Sequence, residues 1–302
     1  MQPIIIALWP VFALLLLGFL ARRSGFPGED FWQPAEKATY YVLFPALLVE
    51  RLASAQLAGD DSIRLAALVV VVLVVAAVLC CVCKPLLRLT APAFTSFFQG
   101  SVRFNTYVAL AVTAALHGSE GIVLAAVITA VMIPLLNLFS VLAFALTSEQ
   151  TFSPRQLLMT LAGNPLILAC LLGIALSLSG IALPLGLSSV LELLGRMALP
   201  LGLLAVGAGL NLRALRGGGR ALAAASLIKL LFLPLLAFAL AGVWQLDPLA
   251  TSVVVIFAAV PTATSAYILA RQMGGDAELM AGIITAQTLI SMLTLPVILV
   301  LL

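Results

Sequence analysis

Ala259-Val260-Pro261-Thr262-Ala263-Thr264-Ser265-Ala266-Tyr267 lies inside an otherwise apolar segment, residues 249–271. Pro261 has no N–H to donate and its ring clashes with the preceding turn, so a helix built on this segment breaks or kinks there. The hydroxyls of Thr262, Thr264 and Ser265 follow directly. In hydrocarbon such a break is tolerated only where protein or water lines it. A second polar stretch, Phe98-Gln99-Gly100-Ser101-Val102-Arg103-Phe104-Asn105-Thr106-Tyr107, sits inside the segment 97–117. At an offset of 156 residues Asn105 falls on Pro261 and Thr106 on Thr262. Two membrane helices interrupted in corresponding places are therefore expected.

The rest of the chain supplies the membrane setting. Of 302 residues, 63% are hydrophobic and 9% charged, where a water-facing surface needs about 25%. Mean hydropathy is +1.22. The surface must face a lipid bilayer, and a soluble module is excluded. The net charge of +3 comes without a basic block, which disfavours nucleic acid as a partner. Apolar segments run at 3–21, 36–53, 63–83, 97–117, 120–146, 156–179, 187–210, 221–243, 249–271 and 278–302. Each approaches the roughly 20 residues needed to cross hydrocarbon. Turn-forming residues such as Gly59-Asp60-Asp61, Gly217-Gly218-Gly219 and Asp247-Pro248 separate them. The expected fold is an all-α membrane protein of ten transmembrane helices.

Placing the N-terminus outside puts ten Lys and Arg residues in inside loops and two, Arg51 and Arg64, in outside loops. This positive-inside bias predicts a multi-pass protein of the bacterial inner membrane with both termini extracytoplasmic. The first segment has no basic residues before it and no cleavage signature after it, so it reads as a retained span.

The halves repeat. Pro10 meets Pro165, Gly18 meets Gly173 and Pro45 meets Pro200 at offset 155, and Val127-Ile128-Thr129-Ala130 meets Ile283-Ile284-Thr285-Ala286 at offset 156. The division is residues 1–146, a short cytoplasmic linker 147–156, and residues 157–302. Five helices per half make the repeat inverted, an arrangement that recurs in secondary transporters with the site near the midplane.

Each break exposes a half-helix N-terminus with unpaired N–H groups and partial positive charge, and two such ends would hold an anion without a buried lysine. The expected substrate contacts are Asn105, Thr106, Tyr107, Pro261, Thr262, Thr264 and Ser265. Ordinary helix-to-helix hydrogen bonding is the competing reading of each hydroxyl. Three cations lie within spans. Arg103 either meets a substrate carboxylate, snorkels to the cytoplasmic face or binds carbonyls freed by the break, Arg196 has Glu192 one turn earlier, and Lys229 has no local partner and reads as a coupling residue or a snorkelled one. Pro45 and Pro200 are expected to kink their spans. Asn137 and Gln287 either line a cavity or join helices. Cys80, Cys81, Cys83 and Cys170, with His117 as the single histidine, make no metal set, and no cofactor is expected. With no base paired to an intramembrane nucleophile, an enzyme is disfavoured. A channel or scramblase remains the alternative to a carrier, and a homodimer is compatible with the chain.

Arg103-Phe104-Asn105, the run from Pro261 to Asp276, and Gly163-Asn164-Pro165 resemble the auxin efflux carrier family, which includes bacterial malonate and malate permeases. The resemblance implies a bile-acid sodium symporter-like fold, in which a scaffold bundle faces a transport bundle whose fourth and ninth helices cross. It also implies an elevator or rocking carrier for a small organic anion, with Asn105 and Pro261 as crossover positions. The long regulatory loop of the plant members is absent here. So are acidic ligands at 259–268, which makes sodium coupling doubtful.

Overall fold

The computed structural model describes residues 2–53, 60–145, 147, 159, 163–181 and 183–301. Of the expected linker 147–156 only Thr147 lies within them, so that boundary falls outside the described residues. All regular structure among the described residues is helical.

Helix α1 runs Gln2–Arg23. Helix α2, Glu29–Ala38, begins ahead of the apolar segment with two acids in its first turn, as the positive end of a helix favours. It passes through a π-helical turn, Thr39–Leu43, into α3, Phe44–Ala53. The π turn lies just before Pro45, whose missing N–H already disrupts the α-helical ladder there. Helix α4 is Asp60–Leu87. Helix α5, Ala91–Val102, stops after 12 residues. Helix α6 runs Thr106–Ala145 with a non-helical Gly118 (φ 57°, ψ −141°), a conformation that costs glycine no Cβ clash. Its 40 residues would exceed one crossing of a roughly 30 Å hydrocarbon layer, and the bend divides them.

In the second half, α7 is Pro165–Ser179 and α8 is Leu185–Ala208. Helix α8 continues through Pro200, so that proline does not break it. A 3₁₀ turn, Leu212–Gly217, leads to α9, Gly219–Leu227. A second π turn, Ile228–Phe232, precedes Pro234 and joins α9 to α10, Leu233–Val243. Helix α11, Pro248–Ala259, also stops after 12 residues. Short α12, Ser265–Met273, and long α13, Ala277–Leu301, complete the chain. Among the described residues six helical runs are long and apolar enough to cross a membrane, and Pro165–Ser179 and Pro248–Ala259 are shorter apolar helices. The chain is thus an α-helical membrane protein.

Packing sorts the helices into two groups. Helix α3 lies against α7 and α8, and α1 against α8. Helices α4, α5, α6, α9, α10, α11 and α13 pack mainly on one another, and α13 is the most buried of the long helices. The α1–α8 contact depends on two glycines facing backbone. A methyl group on Gly18 would collide with the Leu204 carbonyl, and one on Gly207 with the Leu15 carbonyl. Helix association in lipid relies on such close approach. Gly207→Val is expected to lower the thermal melting point of the purified protein by several degrees, an overpacking cost of about 1–3 kcal/mol. Gly186→Ala on the same helix meets nothing within 4 Å and should melt as the wild type does.

Candidate functional site

The two 12-residue helices end alike. The chain leaves α5 at Arg103 (φ −72°, ψ 156°) and α11 at Val260 (φ −70°, ψ 153°). Both are extended, so each helix leaves its last carbonyls without intrahelical donors. At 1.5 Å per residue a 12-residue helix covers about 18 Å, less than the roughly 30 Å of a hydrocarbon layer. The interruptions then meet. The Asn105 N–H donates to the Pro261 carbonyl at 2.8 Å.

Side chains close this junction. Thr262 Oγ1 donates to the Gln99 carbonyl at 3.3 Å, which also accepts the Arg103 N–H at 2.9 Å. Gln287, on α13, spans both breaks: its Oε1 accepts from the Thr262 N–H (2.9 Å) and its Nε2 donates to the Gly100 carbonyl (2.8 Å). Asn105 caps α6, its Oδ1 accepting from the N–H groups of Tyr107 (3.1 Å) and Val108 (3.2 Å). These first-turn donors are therefore occupied, and the positive end of α6 is narrower than a bare helix end. Asn105 Nδ2 and both ends of the Gln99 amide are buried with no partner among the described residues. Leaving a buried amide unpaired costs about 1–3 kcal/mol.

Lys229 is fully buried in the second π turn, and its Nζ donates to the Phe257 carbonyl at 3.2 Å. Phe257 stands four residues before Pro261, which has no N–H to return. The lysine therefore supplies the donor that the proline withholds, a partner that no local sequence pattern announces. Arg103 is half-buried, with its Nη1 donating to Ser140 Oγ at 3.3 Å. Tyr107 is buried and stacks on Phe44, ring centroids 4.7 Å apart. Thr106 is half-buried, and Ser265 is exposed at the start of α12. Arg196 pairs with Glu192 at 2.7 Å on an exposed face, apart from the junction.

A cavity of about 1320 Å³ opens beside the junction. Arg22, Arg23, Arg213 and Arg216 line it, together with Glu29, Glu36 and Glu278. Of the expected substrate contacts Thr264 alone lines it, and its hydroxyl donates to Glu36 Oε1 at 3.2 Å. The sequence signal at 259–265 thus marked two neighbouring places, the packed junction (Pro261, Thr262) and the cavity wall (Thr264). Gln99 and Glu36 gave no such signal. Gln99 reads as one more polar residue in a mixed stretch, and Glu36 as the first residue of the apolar segment 36–53.

The model of the membrane transport protein family matches residues 3–299. One relative, an uncharacterized transporter of Methanothermobacter thermautotrophicus, is 26% identical over 292 residues, covering 95% of this chain and 94% of its own. The chain belongs to the membrane transport protein family, the auxin efflux carrier family that its Arg103-Phe104-Asn105 and Pro261–Asp276 stretches resemble, and it is a membrane transporter.

Proposed function

We propose that this transporter carries a small organic anion, a mono- or dicarboxylate such as malonate, malate or an auxin-like acid, by alternating access, with the anion held where the two interrupted helices meet. The observation that carries this reading is the set of buried, unpartnered amide atoms of Asn105 and Gln99 at the junction. An amide N–H₂ is a donor only, and beside the positive end of α6 it suits a carboxylate oxygen. The hydroxyl of Thr264 adds a donor from the other break.

The cavity supports the second half of the proposal. Its arginines are those that the positive-inside count assigns to the cytoplasm. The conformation then reads as inward-open, with the cavity a vestibule whose cationic wall concentrates anions. The architecture we propose is ten spans in a 5+5 inverted repeat. The spans of α1, α2–α3, α7 and α8 act as scaffold, and the remaining helices as the moving bundle. The matched ends of α5 and α11 and the two packing groups support that division. The protein then sits in the inner membrane with both termini outside, and the moving bundle slides or rocks on the scaffold.

Purified protein in liposomes preloaded with unlabelled acid should take up labelled malonate, malate or indole acetate in exchange, with saturation. Flux that neither saturates nor shows counterflow would instead mark a channel. No flux of any of these acids would remove support for a carboxylate carrier.

A further inference from the structure

We propose that Glu36 is a proton-binding residue that couples anion movement to proton movement, by holding the Thr264 position when ionised and yielding it when protonated. This rests on the carrier reading above. Glu36 sits on α2, within the scaffold group, and Thr264 stands at the start of α12, across the cavity wall. Their 3.2 Å contact therefore links the two groups of helices directly. It also places a carboxylate of the protein against a hydroxyl at the positive end of a half-helix, the kind of place a substrate carboxylate would seek.

The surroundings leave Glu36 free to titrate. On its own helix its neighbour is Lys37, Tyr40 follows in the π turn, and Glu29 faces the same cavity. Arg22 and Arg23 face in from α1, Arg213 and Arg216 from the 3₁₀ turn, Tyr267 from α12 and Glu278 from α13. Tyr107 of α6 lies close enough to interact electrostatically. Helix α8, which packs on α2, lines the cavity with Ala208. Arg22 is already engaged, by Glu29 at 3.2 Å and by the Ala208 carbonyl at 3.0 Å. Among the described residues no cation stands within ion-pair distance of Glu36.

The coupling follows from charge. Ionised Glu36 takes a charge-assisted hydrogen bond from Thr264 and repels an approaching carboxylate. A proton from cavity water removes the charge and leaves a neutral contact, roughly half as strong. The substrate carboxylate then takes the Thr264 hydroxyl, so proton and anion occupy the wall together, and each raises the affinity for the other by the same factor. Release of the anion returns the proton to water and restores the contact.

The test uses whichever of malonate, malate and indole acetate exchanges in liposomes. Wild-type uptake from weakly acid buffer should exceed that from weakly alkaline buffer by roughly tenfold, a typical coupling. Glu36→Gln should show no such ratio beyond the acid's own titration, which affects both proteins alike, and should not accumulate acid when only a pH gradient is imposed. Equal pH ratios in wild type and Glu36→Gln overturn the coupling role and leave the carrier reading standing. No exchange by wild type at any pH overturns both. Should Glu36→Gln fail to fold, wild type alone decides. Binding of the acid in weak buffer should draw in about one proton per molecule bound, and no proton uptake overturns the proposal.

Discussion

Asn105→Asp is expected to abolish anion transport while leaving the protein as stable as the wild type. The cap is the reason for the second half. Asp and Asn are equally good at the start of a helix, and an Asp carboxylate can take over the bonds that Asn105 Oδ1 accepts from Tyr107 and Val108. The positive helix end favours the added charge. The first half follows from the unpartnered Nδ2. Asp replaces that donor with an anionic oxygen. Two like charges about 4 Å apart repel by about 4 kcal/mol at the effective dielectric of a protein site. That corresponds to a loss of about a hundredfold to a thousandfold in uptake. Asn105→Ala should separate the roles, losing transport and also the cap, at about 1–2 kcal/mol of stability. Uptake and melting of the purified proteins distinguish the cases. An Asp variant that transports at the wild-type rate would mean the anion binds elsewhere.

Gln287→Leu is expected to be the most destabilising single change at the junction. It removes at once the acceptor of the Thr262 N–H and the donor to the Gly100 carbonyl. Both groups remain buried, and each orphan costs about 1–3 kcal/mol. The combined loss of about 2–6 kcal/mol should appear as a large drop in melting temperature or as failure to purify folded. Thr288→Val is the comparison. Its hydroxyl bonds only the Ile284 carbonyl of its own helix, so the change should cost about 1 kcal/mol or less. Equal melting of the two variants would show that Gln287 does not hold the breaks together.

The parts of this arrangement legible in sequence are those that break a local rule. Pro261 within an apolar segment cannot extend a helix, and Asn105 beside Arg103 contradicts a plain membrane span. The residues that finish the junction break no rule. Gln287 is one amide in a long apolar helix, a pattern that fits either a cavity wall or a helix contact, and only the meeting of three elements makes it a latch. Lys229 had no neighbour in sequence because its partner is a carbonyl on α11 freed by the proline in the break that follows that helix. Glu36 stood at the first residue of the apolar segment 36–53 and broke no pattern there, whereas α2 starts earlier, at Glu29. The cavity was illegible for a similar reason, because α1, α2, the 3₁₀ turn, α12 and α13 each give it only a few side chains.

The central claim is that an anion is held by the amides left unpaired where the two interrupted helices meet. A structure of the protein determined with bound malonate tests it most directly. The account predicts a carboxylate within hydrogen-bond distance of Asn105 Nδ2 or the Gln99 amide, with Pro261 and Thr262 alongside. Malonate held only among Arg22, Arg213 and Arg216 in the vestibule, with the Asn105 and Gln99 amides sealed by protein side chains, would contradict it.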